Sequence, residues 1–153
     1  MSPMIGKTVD ELKVGDRAEL SKTISESDIY LYAGVTGDFN PAHINQVYAE
    51  KTFFRSRIAH GLLSAGFISA AIGTVLPGPG TIYIRQELEF VAPVYIGDTI
   101  TALIEVLKID IIENHVVLKT RCKNQKGEIV IDGEALVSPP KKSINNLEGI
   151  YEA

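Results

Sequence analysis

Asp38 and His43 stand five positions apart in a segment where helical periodicity breaks, between Gly37 and the dipeptide Asn40-Pro41. An acid and an imidazole at fixed separation are the working parts of general acid-base catalysis, which moves a proton to or from a reacting group in the transition state. The residues between them supply the fixing. Pro41 sets its own φ and disfavours helical backbone at Asn40, so the pair is expected on a stiff, irregular loop. Either residue alone has a plain structural reading, Asp38 as a solvent contact at a helix C-terminus and His43 as a satisfied loop histidine. His60, just before a long apolar run, reads first as a cap or packing group, and His115 after Asn114 as a solvent-facing turn residue.

The elements around this loop follow from periodicity. Ser25 with Asp28 three positions on forms a capping-box start, and Ile29, Tyr32, Ala33 and Thr36 mark one helical face ending near Gly37. Asn45 is the expected N-cap of a second, short helix through Val47, Tyr48 and Phe54. Residues 62–76 are apolar or small on every face, which is how a helix reads when neighbours surround it, and the Pro77-Gly78-Pro79-Gly80 cluster stops it. From Thr81 the period becomes two. Strands are expected at 81–90, 99–109, 116–122 and 128–137, after a first strand at 14–21. Gln86 interrupts an otherwise apolar strand face and should find a buried partner or line a cavity. Helices precede most strands in sequence, which favours an α+β arrangement over a doubly wound one. Burying the 62–76 helix then requires a curved antiparallel sheet wrapped around it, with open sheet edges that invite dimerisation.

Composition narrows the functions. A chain of 153 residues, 45% hydrophobic, can bury a real core, and a single domain over 1–138 followed by a polar tail at 139–153 is expected. A net charge of -4 with scattered Lys and Arg argues against nucleic acid. The uncharged run 61–84 is cut by Gly66, Gly73 and the Pro/Gly cluster well below the roughly 20 helical residues that a membrane span needs. One cysteine, Cys122, forms no internal disulfide and no multi-cysteine metal site, so a reducing cytoplasm is expected. No metal-ligand spacing occurs among the three histidines, and Gly78-Pro79-Gly80 lacks the lysine and following helix of a phosphate loop.

Taken together, Asp38-Phe39-Asn40-Pro41-Ala42-His43, then His60-Gly61-Leu62-Leu63, then Phe90-Val91-Ala92-Pro93-Val94-Tyr95-Ile96-Gly97-Asp98 resemble the MaoC-like hydratases, in particular the R-specific enoyl-CoA hydratases. The resemblance spans about residues 10 to 138. It implies a hot-dog fold, a long central helix wrapped by an antiparallel sheet, assembled as a homodimer or a higher oligomer. It also implies reversible hydration of short-chain trans-2-enoyl-CoA to the R-3-hydroxyacyl-CoA. Asp38 and His43 match the catalytic pair, Gly61 the residue whose backbone N–H faces the thioester oxygen, and Ser69 a site-lining serine, with Asn40 and Leu62 beside them. The scheme requires neither metal nor organic cofactor, CoA being part of the substrate. Chain-length preference would depend on a tunnel lined by residues such as Leu62, Phe67 and Leu88, and Lys51, Arg55 and Arg57 are candidates for the CoA phosphates. Two rival readings keep the fold: an acyl-CoA thioesterase, and a non-catalytic acyl-CoA-binding module. The intact Asp38 and His43 argue against both.

Overall fold

The computed structural model describes residues 5–141, so the polar tail lies outside the described residues from 142 onward. The first strand, β1 (Arg17–Thr23), begins three residues later than periodicity suggests. The Asp16 carboxylate accepts the Lys13 N–H at 3.1 Å and Gly15 has φ 90°, so Val14 and its neighbours are used in a turn. Helix α1 (Glu26–Thr36) has the expected capping box: Ser25 N–H donates to the Asp28 carboxylate at 2.8 Å, and Asp28 N–H donates to Ser25 Oγ at 3.2 Å. It ends on Gly37, whose φ of 76° suits a residue without Cβ.

Two single-turn helices follow, α2 (Pro41–Ile44) and α3 (Gln46–Ala49). Asn45 caps α3 as expected, its Oδ1 accepting the Tyr48 N–H at 3.0 Å, but the helix does not reach Phe54. The Thr52 hydroxyl donates to the Ala49 carbonyl at 2.7 Å, occupying the acceptor that a further turn would use, and Arg55 sits at φ 60°.

Helix α4 (Gly61–Thr74) is the long apolar helix. After it come β2 (Ile82–Phe90), β3 (Thr99–Asp110), β4 (His115–Lys123) and β5 (Ile129–Ser138). The sheet order is β1-β3-β4-β5-β2, with every neighbouring pair antiparallel. Alternation is strict in the middle of the sheet: Ile100, Ala102, Ile104 and Val106 of β3, and Val116, Leu118, Thr120 and Cys122 of β4, all point into the core. There they meet Phe67, Ile68, Ala71 and Ile72 of α4. Burying one such side chain fully is worth about 1.5–3 kcal/mol, so α4 is anchored along its whole length.

The all-round burial that composition suggests for α4 does not hold. Helix α4 is buried on one face, the one carrying Ser64, Phe67, Ile68, Ala71 and Ile72, while Leu62 is 60% exposed and Gly66 and Ser69 face outward. Five strands cover only one side of a helix, and the Gly and Ser residues that made the sequence look buried all round need no burial. His115, expected in a solvent-facing turn, is half-buried as the first residue of β4. Among the described residues no helix is long and apolar enough to cross a membrane.

Candidate active site

The loop between α1 and α2 is fixed by its own hydrogen bonds. Asp38 N–H donates to Thr36 Oγ1 at 3.3 Å, and Asp38 Oδ1 accepts the Asn40 N–H at 3.2 Å. Asn40 Oδ1 in turn accepts the Ala42 N–H at 3.0 Å, capping α2, whose first residue is Pro41. The loop is tied to the segment that leads into α4. Ile58 N–H donates to the Ala42 carbonyl at 3.2 Å, Ile58 bridges Tyr95, and Ala59 N–H donates to the Val94 carbonyl at 2.7 Å. Asp38 and His43 therefore rest on a braced backbone.

His43 is 9% exposed, and its Nδ1 lies 2.8 Å from the Ile58 carbonyl. A carbonyl can only accept, so Nδ1 carries the proton and the neutral ring presents a lone pair at Nε2. His60 is 2% exposed with Nε2 3.0 Å from the Asp38 carbonyl, which by the same reasoning puts its proton on Nε2. The two imidazoles stack with centroids 3.9 Å apart, and Tyr32 packs on the other ring contact of His60 at 4.7 Å. Burial pushes the His43 pKa below its ordinary 6.5 and the neighbouring His60 pushes the same way; the Ile58 bond and the nearby Asp38 oppose them. The His43 ring is thus mainly neutral near pH 7.

Asp38, His43, His60, Gly61, Leu62 and Ser64 line one side of a cavity of about 540 Å³, faced by Phe90, Pro93 and Val130 among others. Gly61 packs closely on Phe90: a Cβ there would sit 2.7 Å from Cε1 of the ring, which would have to shift to admit a larger residue. The Ser64 hydroxyl and His60 Nδ1 are buried and have no hydrogen-bond partner among the described residues.

Not every residue singled out from the sequence joins this wall. Ser69 is exposed on the open face of α4, because five residues on from Ser64 amounts to about 140° of helical rotation. Asn40 does not border the cavity but acts as the α2 cap. Phe67 belongs to the core and Leu88 is half-buried outside the cavity. Arg57 is committed to Glu26 and to the Tyr30 hydroxyl, the latter at 2.9 Å, whereas Lys51 and Arg55 are exposed. Gln86 finds its partners in Thr120 Oγ1 at 2.9 Å and the Glu134 carbonyl at 3.1 Å. Burial pushes the Cys122 thiol up to about 12, so it is an unreactive core group. Asp38, His43 and His60 offer possible metal-ligand atoms all within 4.8 Å. Two of the four ring nitrogens already serve main-chain carbonyls and the rings stack, an arrangement that suits proton transfer better than a tetrahedral ion site.

His60 and Ser64 carry more of the site than sequence reasoning assigns them. The signal was available in spacing: Ser64 follows Gly61 by three residues and so shares its helical face. The wall formed by Phe90 and Val130 had no local signal, since it depends on β2 and β5 pairing at their far ends.

Residues 9–127 match the family described as the MaoC like domain. The chain belongs to the MaoC-like family. Among MaoC-like proteins it is 54% identical to an (R)-specific enoyl-CoA hydratase of Rhodospirillum rubrum, over 87% of this chain and 92% of that one. It is 48% identical to a 3-hydroxybutyryl-CoA dehydratase of Methylorubrum extorquens, over 87% of this chain and 84% of that one. In structure it resembles the unliganded R-hydratase of Pseudomonas aeruginosa, with TM-score 0.85 and 48% identity across 90% of this chain and 88% of that one. The MaoC-like chain thus has the hot-dog fold, α4 being the helix that the curved sheet wraps.

Proposed function

We propose that this chain is an R-specific enoyl-CoA hydratase, a hydro-lyase that adds water to trans-2-enoyl-CoA and removes it from (R)-3-hydroxyacyl-CoA. The observation that carries the reading is the braced Asp38/His43 pair lining a cavity walled mainly by apolar residues, in a chain 54% identical to a hydratase of that specificity. Water bound between the two groups gives a proton to His43 Nε2 while its oxygen bonds to Cβ. The π electrons move toward the thioester carbonyl, giving an enolate. The imidazolium then returns the proton to Cα, so the elements of one water end on adjacent carbons. Asp38 orients the water and steadies the imidazolium. The helix N-terminus at Gly61 offers N–H and partial positive charge to the enolate oxygen, a contribution worth about 10²- to 10³-fold per donor in comparable sites.

The scheme needs no cofactor beyond the CoA of the substrate. A homodimer is part of the proposal, supported by the open, small-residue face of α4 and by the edge strand β2, where Ile82 and Phe90 are 65% and 54% exposed. A cytoplasmic setting fits the lone buried cysteine. The test is loss of enoyl-thioester absorbance with crotonyl-CoA, the product being read by a dehydrogenase specific for one enantiomer of 3-hydroxybutyryl-CoA. R product supports the reading. Thioester cleavage with free thiol release would replace it by the thioesterase alternative, and tight crotonyl-CoA binding without turnover by the binding module.

A further inference from the structure

We infer that Ser64 is a second donor to the substrate's thioester oxygen, acting beside the backbone N–H of Gly61; the inference rests on the hydratase reading. Ser64 is 0% exposed, borders the cavity, and its Oγ has no hydrogen-bond partner among the described residues. A serine inside a helix ordinarily bonds the carbonyl four residues back, here that of His60, and Ser64 does not. A buried hydroxyl left unbonded costs about 1–3 kcal/mol, and such a group in a folded protein calls for a reason.

Helix geometry says where the hydroxyl is directed. Cα–Cβ bonds tilt toward a helix's N-terminus, so Ser64, three residues after Gly61, leans over the turn that holds the Gly61 N–H. Its own carbonyl is held from behind by the Cys122 thiol, which donates to it at 3.6 Å, and this contact braces the Ser64 backbone. The other unpaired buried atom on this wall is His60 Nδ1, which in the neutral ring donating from Nε2 to the Asp38 carbonyl bears a lone pair and accepts. Ser64 is the side-chain donor on the α4 part of the wall. When the Cα=Cβ bond of the substrate takes up hydroxide, the negative charge collects on the thioester oxygen. A hydroxyl and a backbone N–H converging there stabilise that charge more than they stabilise the neutral substrate, which lowers the barrier and not merely KM.

The test compares wild type with Ser64→Ala in three measurements: Tm, kcat and KM for crotonyl-CoA, and the enolate absorbance of bound acetoacetyl-CoA, which has no double bond to hydrate. Because no protein hydrogen bond is lost, Tm should hold or rise. We expect kcat to fall about 10- to 10³-fold with KM changed by less than about threefold, and the bound acetoacetyl-CoA to lose its enolate band. A kcat within about threefold of wild type, with the enolate band kept, overturns the inference. So does a lowered Tm with activity lost only in proportion to the unfolded fraction. If wild type itself fails to hydrate crotonyl-CoA, the hydratase reading fails on its own, and the enolate band still decides whether Ser64 contacts the oxygen.

Discussion

The two faces of α4 are built from similar small and apolar residues and meet opposite surroundings. One face, with Ser64, Phe67, Ile68, Ala71 and Ile72, is sealed against β3 and β4; the other, with Leu62, Gly66 and Ser69, is open in the single chain. Two serines five residues apart therefore have different parts to play. Ser64 is enclosed beside Asp38, His43 and His60, and Ser69 lies on the exposed face. Composition reports that a helix avoids charge, while the sheet decides which side is covered.

The largest way to break this comparison is at the enclosed site. His43→Asn keeps a donor near the Nδ1 position for the Ile58 carbonyl and removes the Nε2 base, so kcat should fall about 10²- to 10⁴-fold with Tm little changed. Steady-state kinetics beside a thermal melt will tell; a variant retaining a tenth of the activity removes His43 from the mechanism. Next comes the core. Ile68→Ala, at 1% exposure, should cost about 2–5 kcal/mol of stability in denaturant titration, whereas Ser69→Ala should stay within about 0.5 kcal/mol in the monomer. Equal effects would mean that the two faces are not as different as they look.

Gly66 sharpens the open face further. A Cβ there meets nothing within 4 Å, so Gly66→Ala should stabilise the isolated chain by about 0.5–1 kcal/mol through helix propensity. If a second copy packs closely on that face, sedimentation velocity should show weakened association instead of simple stabilisation. The smallest effect is in pH. Burial lowers the His43 pKa, so the base form persists below 6.5 and the acid limb of kcat/KM should fall under that value. Protonation below it also favours the unfolded chain, which binds the proton more readily, so stability should decline over the same acid range. An acid limb above pH 6.5 would assign the titration to another group.

Much of this was legible in the sequence. The middle strands follow from alternation, α1 from its capping box and Gly37, and the Asp38/His43 loop from Gly37, Asn40 and Pro41, because each is dictated by residues within a few positions. What sequence did not disclose depends on distant pairing. Strand order alone brings β2 to the sheet edge, setting Phe90 against Gly61, and the stacking of His60 on His43 needs the loop folded back onto the α4 N-terminus. Asn40 caps α2 and Arg57 clamps α1, partnerships that closeness in sequence to the Asp38/His43 loop does not reveal.

In the proposed mechanism Asp38 and His43 together move the proton of a water added to an enoyl thioester. Its most direct test is the initial rate of crotonyl-CoA hydration by wild type and by Asp38→Asn, with both proteins matched for Tm and circular dichroism. We predict R-3-hydroxybutyryl-CoA from the wild type and a rate lower by about 10³-fold in the variant, within the range for loss of a positioned acid-base group. A folded Asp38→Asn protein working within tenfold of wild type would contradict the account.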